Sequence, residues 1–125
     1  MRRTLTTVAL VTGVVALALV PAGLAKDGDK LVRGTCTGPS SAKMKLSRED
    51  GRIEVALEVD QNRVGRTWRV ALRQNGVVVR RLTRVTRAPS GSFEARIVVR
   101  NRAGVDRLAA TATRRGETCT ARGSF

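Results

Sequence analysis

The chain has no histidine and no tyrosine, and among its 125 residues only one tryptophan and two phenylalanines. Without histidine, the commonest general base and the commonest metal ligand are both missing. The two cysteines, Cys36 and Cys119, are far apart and cannot complete a zinc shell without histidine partners, so neither a metal nor a cofactor is expected. Trp68, Phe93 and Phe125 are the only aromatics. That scarcity counts against base-stacking platforms, an exposed-aromatic sugar site and a deep apolar ligand cleft. No reading helix is visible, so sequence-specific nucleic-acid binding is not expected.

Acid is also scarce. Asp and Glu total 10 against 24 Lys and Arg, a net charge of +14. The carboxylates do not suggest a catalytic pair. Glu54 and Glu58 lie four apart along one strand, and Asp27-Gly28-Asp29 lacks the remaining oxygens of a calcium loop. Ser40-Ser41-Ala42-Lys43 has a superficial Ser-Lys look, but the lysine is expected as a solvated strand residue. With no nucleophile beside a base, the chain is not expected to be an enzyme.

What is present begins with a leader. Arg2-Arg3 precede an apolar run, Val8 to Val20, and Gly23-Leu24-Ala25 supplies small residues for cleavage. Residues 1–25 therefore read as a secretory signal peptide, cleaved after Ala25 or alternatively after Ala22. The run is short of the roughly 20 residues a membrane span needs, so no transmembrane segment is expected in the mature chain. Cleavage would remove two of the 24 basic residues and none of the 10 acids, leaving +12 on residues 26–125. An exported chain with two cysteines is expected to join them, Cys36 to Cys119.

Residues 26–30 (KDGDK) read as a flexible lead, and 31–125 as a single domain. From Leu31 onward, hydrophobic residues recur with period two. Strands are expected at Leu31–Thr37, Ala42–Ser47, Arg52–Val59, Arg66–Gln74, Val77–Arg87, Phe93–Arg100, Arg107–Thr113 and Thr118–Phe125. Asn75-Gly76 is the strongest hairpin signal. The strand after it has no clear phase: Val77 and Val79 agree, whereas Leu82 and Val85 break step, and a bulge near Arg80-Arg81 would repair it. About seven or eight strands at this spacing imply an all-β, immunoglobulin-like antiparallel sandwich, with a small Greek-key barrel as the alternative.

Arginine carries the one positive functional signal, since lysine occurs only at positions 26, 30, 43 and 45. Arg69, Arg73, Arg80, Arg84, Arg96 and Arg100 are the candidate polyanion-binding residues, and would form one face if their strands shared a sheet. The expected partner is an anionic polymer of the cell envelope. The alternative is a protein, held by a loop at 60–66 or 86–92.

The stretches DGRIEVALEVDQNRVGRTWRVALRQNG (50–76) and TRAPSGSFEARIVVRNRAGVDRLAATATRRGETCTA (86–121) resemble small secreted proteins of actinobacteria. The resemblance implies export and a compact β domain, and implies no activity. In size, export and expected sandwich the chain is also similar to the chromoprotein apoproteins of streptomycetes. Those carry two disulfides and tend to be acidic. This chain has cysteines for one and is basic, so chromophore carriage is not implied.

Overall fold

The computed structural model describes residues 28–125, and the expected signal peptide lies outside them. The described residues contain nine strands and no helix, hence no helix long and apolar enough to cross a membrane. The strands are β1 (Lys30–Arg33), β2 (Thr35–Cys36), β3 (Ser41–Glu49), β4 (Arg52–Asp60), β5 (Thr67–Gln74), β6 (Val77–Val85), β7 (Ser92–Arg100), β8 (Arg107–Arg114) and β9 (Glu117–Ser124).

They form two antiparallel sheets, ordered β1-β3-β4-β7 and β2-β9-β8-β5-β6. Their inward faces build one core. In β4, Ile53, Val55, Leu57 and Val59 are buried; in β5, Trp68, Val70 and Leu72 are buried; and in β7, Phe93, Ala95, Ile97 and Val99 are buried. This is the alternation a sheet with one dry face requires. The expected sandwich is therefore present. The barrel alternative is not, because β1, β7, β2 and β6 remain as sheet edges.

The first strand departs from the sequence reading, and the cause is clear. The expected first strand, Leu31–Thr37, is split in two. β1 pairs with β3 in one sheet and β2 with β9 in the other. Gly34 makes the switch where the layers converge: a Cβ there would sit 2.9 Å from the Thr120 carbonyl oxygen and 3.0 Å from Ala42 Cβ. In β6 the bulge expected near Arg80-Arg81 is present, at the adjacent Val79. Leu72 faces Arg80 but Arg73 faces Val78, which leaves Val79 as the extra residue of a β-bulge. Val77, opposite Gln74, and the bulged Val79 are both exposed, at 62% and 37%, because β6 is an edge strand. The bulge puts Leu82 opposite Val70, where it packs against the core. A one-residue slip exchanges the faces of a whole strand. Burial of Leu82 thus selects the bulged register.

Trp68 is fully buried against Phe93, with ring centroids 6.1 Å apart, and its indole N–H donates to Gln61 Oε1 at 3.0 Å. The disulfide joins Cys36 to Cys119, which face one another on β2 and β9 within one sheet. It closes a loop of 83 residues, which the chain-entropy model values at about 4.5 kcal/mol.

Each end of the sandwich is tied by polar contacts. At one end, buried Asp106 accepts hydrogen bonds from Gln74 Nε2, Asn75 Nδ2 and the Arg102 N–H at 3.0, 3.0 and 2.9 Å. Asn75 and Gly76 both have positive φ, 53° and 84°, as the type I′ turn demands. At the other end, Thr86 Oγ1 accepts from the Arg66 N–H and donates to the Arg63 carbonyl. Gly91, at φ 69°, lies so close to the 61–66 loop that a Cβ would come within 2.2 Å of Arg63 N.

Candidate functional site

The outward side chains of the two sheets differ in charge. On the four-stranded sheet, the outward phase of β3, β4 and β7 carries Lys43, Lys45, Arg52, Arg96 and Arg100 together with Glu49, Glu54, Glu58, Asp60 and Glu94. Lys43 pairs with Glu58 at 3.7 Å; Arg96 pairs with Glu54 at 3.5 Å and donates a short hydrogen bond to Glu94. That hydrogen bond, then the charges of Glu94 and Glu54, push the Arg96 guanidinium above its ordinary pKa. This face is mixed and largely self-compensated.

The five-stranded sheet is not. Its outward phase carries Arg69 and Arg73 from β5, Arg81 from β6, Arg107 from β8 and Arg122 from β9. The only acid in its strands is Glu117, which shares the inward phase of Cys119 at the start of β9. Among the described residues, no carboxylate is ion-paired with any of these five arginines.

Register fixes their arrangement. One row across the sheet runs Arg81, Ala71, Thr111, Thr120, Thr35. The row on one side is Thr83, Arg69, Thr113, Thr118, and the row on the other is Val78, Arg73, Ala109, Arg122. Because alanine is short, each alanine floors a shallow hollow. Arg69, Arg73 and Arg81 ring the hollow over Ala71, with Thr83, Thr111 and Thr113 completing its wall. Arg73, Arg107 and Arg122 ring the hollow over Ala109. The two hollows share Arg73. Their floors are diagonal neighbours on adjacent strands, about 7–8 Å apart. Among the described residues, the hydroxyls of Thr111, Thr113, Thr118 and Thr120 have no hydrogen-bond partner.

The sequence candidates divide accordingly. Arg69 and Arg73 sit at the centre of the uncompensated face. Arg96 and Arg100 lie on the other sheet, so the structure does not bring them beside Arg69 and Arg73. Arg80 and Arg84 face Leu72 and Trp68, on the inward phase of edge strand β6. They remain exposed because β6 is an edge, and Arg84 lines a separate cleft with Arg87, Glu58 and Glu94. Arg81, Arg107 and Arg122 were not among the candidates. Arg81 is exchanged for Arg80 by the bulge, for which the one sequence cue was the need to bury Leu82. Arg107 and Arg122 are legible as outward residues by alternation with Leu108 and Ala121, but nothing local shows which sheet they join.

No protein-family model, curated protein or solved structure matches the chain.

Proposed function

We propose that this chain is a secreted, non-enzymatic binding domain that captures an anionic polymer of the cell envelope on the outer face of its five-stranded sheet. The observation that carries this reading is the segregation of charge. Five arginines share one face with no acid, while the outward acids collect on the opposite sheet. Arginine has a planar fork of donors and binds phosphate or carboxylate oxygens in pairs. A row of such forks over a flat, hydroxyl-bearing sheet suits a long, flexible anion better than a small ligand. The cross-linked fold agrees with an extracellular setting, where disulfides persist. The leader, read from sequence, would deliver the chain there.

Binding of purified protein to wall teichoic acid or DNA, titrated with salt, tests the reading. Affinity should fall linearly on a log–log plot, because each neutralised anionic group releases a counterion. Binding indifferent to salt would refute an electrostatic capture surface.

A second reading rests on a different observation. The 61–66 and 86–91 loops are locked together through Thr86 and Gly91, and they hold Val64 55% exposed. A rigid loop pair on a sandwich is a form suited to presenting a protein-binding segment. A stoichiometric protein complex that survives high salt and is lost in Gly91→Ala would favour it.

A further inference from the structure

The spacing of the two hollows narrows the ligand class, on the premise that the arginine face binds a polyanion. We infer that the face is built for a phosphodiester polymer of short polyol units, with successive phosphates seated over Ala71 and Ala109.

Three observations converge. First, each hollow is ringed by three arginines, and Arg73 belongs to both, so the two seats are neighbours. Second, the register makes the two floors, Ala71 and Ala109, diagonal neighbours, a placement that spans roughly 7–8 Å in a sheet. An extended chain advances about 3.3–3.6 Å per three backbone bonds. A repeat of six bonds from phosphorus to phosphorus therefore spans about 7 Å, which matches a three-carbon polyol phosphate. Inorganic polyphosphate repeats every two bonds, so only one phosphate in three matches the seats and the others lie against the rim arginines. Third, Thr111 and Thr113 put hydroxyls on the wall of the first hollow with no described protein partner. A hydroxyl both donates and accepts, and so complements the free hydroxyl of a polyol. Single-stranded nucleic acid has the same six-bond repeat. It also has bases to stack, and this face has no aromatic: Trp68 and Phe93 are in the core and Phe125 packs against it.

Filling the hollows without changing charge tests the seats directly. Ala71→Leu and Ala109→Leu each occupy one seat, and circular dichroism and thermal melting establish that each variant folds. Glycerol-phosphate polymer, inorganic polyphosphate and single-stranded DNA are compared at equal phosphate concentration and ionic strength. Each leucine should weaken glycerol-phosphate polymer about tenfold and polyphosphate less than twofold. Arg73→Lys, which keeps the charge but loses the fork, should weaken glycerol-phosphate polymer more than Arg69→Lys does. If a leucine variant does not fold, this lysine pair carries the test, and equal effects of the two lysines overturn the inference. Leucine variants that bind like wild type, with salt dependence intact, overturn the seats and leave the binding face standing. DNA bound more tightly than glycerol-phosphate polymer overturns the polyol assignment. Salt-independent binding, or none, overturns the premise itself.

Discussion

Asp106 offers the sharpest test of what holds the arginine face in place. Its carboxylate is fully buried and accepts hydrogen bonds from Gln74, Asn75 and the Arg102 N–H. Gln74 also donates to the Arg100 carbonyl at 2.7 Å, which ties the five-stranded sheet to the end of β7. Asn75 in turn accepts from the Arg107 N–H at 2.8 Å. The cluster therefore fixes the β5–β6 turn against the start of β8, between Arg73 and Arg107. Asp106→Ala removes the acceptor shared by three donors, Gln74 Nε2, Asn75 Nδ2 and the Arg102 N–H. Hydrogen bonds to a charged acceptor contribute about 1.5–3 kcal/mol each, partly recovered where water enters. A loss on the order of 3–5 kcal/mol follows, a large share of the 5–15 kcal/mol typical of a domain. For a chain this size that lowers the melting temperature by about 20 °C. Burial alone would raise the carboxyl's pKa; the bonds from Gln74, Asn75 and Arg102, with the charge of Arg102, outweigh it and hold the group below its ordinary value. A depressed folded pKa gives stability that is present above the unfolded value, near 4, and lost as pH falls through the folded one. The gap between wild type and Asp106→Ala should therefore be full at neutral pH and narrow below about pH 4. Unfolding is followed by fluorescence of Trp68, the only tryptophan. A melting temperature within about 3 °C of wild type, or a gap that stays constant down to pH 2, would refute the reasoning.

Two further perturbations probe the frame. Replacing both Cys36 and Cys119 by serine should cost up to about 4.5 kcal/mol, with hydrogen exchange rising first at β2, whose two residues pair only with β9. Gly91→Ala combines a left-handed backbone with a Cβ driven to 2.2 Å from Arg63 N; it should destabilise by about 2–3 kcal/mol or more and loosen the 61–66 loop, read as faster proteolysis there.

Much of this architecture is legible in the sequence because period-two alternation is a strong physical signal. Ile53, Val55, Leu57 and Val59 announce a half-buried strand, and Asn75-Gly76 announces a two-residue turn. The chain has only two cysteines, which makes the Cys36–Cys119 bond the one available pairing. The failures are equally physical. Alternation says that Arg96 and Arg69 point to water, and nothing about which water: sheet membership is decided by long-range pairing of β7 with β4 and of β5 with β8. Gly34 looks like an ordinary strand glycine until the convergence of two layers removes the room for a side chain. Along β6, local phase favours Arg80, whereas the core contact of Leu82 favours Arg81, and a single bulged valine decides between them. The hollows over Ala71 and Ala109 arise only when alanines and arginines from four strands are brought into register.

In the proposed binding mode, charge acts face by face rather than in total. Two double variants, each removing two positive charges, separate these ideas: Arg69→Gln with Arg73→Gln on the uncompensated face, and Arg96→Gln with Arg100→Gln on the opposite sheet. The measurement is the slope of log affinity against log salt for teichoic acid. The first pair should flatten the slope by about 1.5, at roughly 0.7–0.9 per lost contact, and the second should leave it nearly unchanged. Equal flattening by both pairs would show that only net charge matters, and would contradict a binding face on the five-stranded sheet.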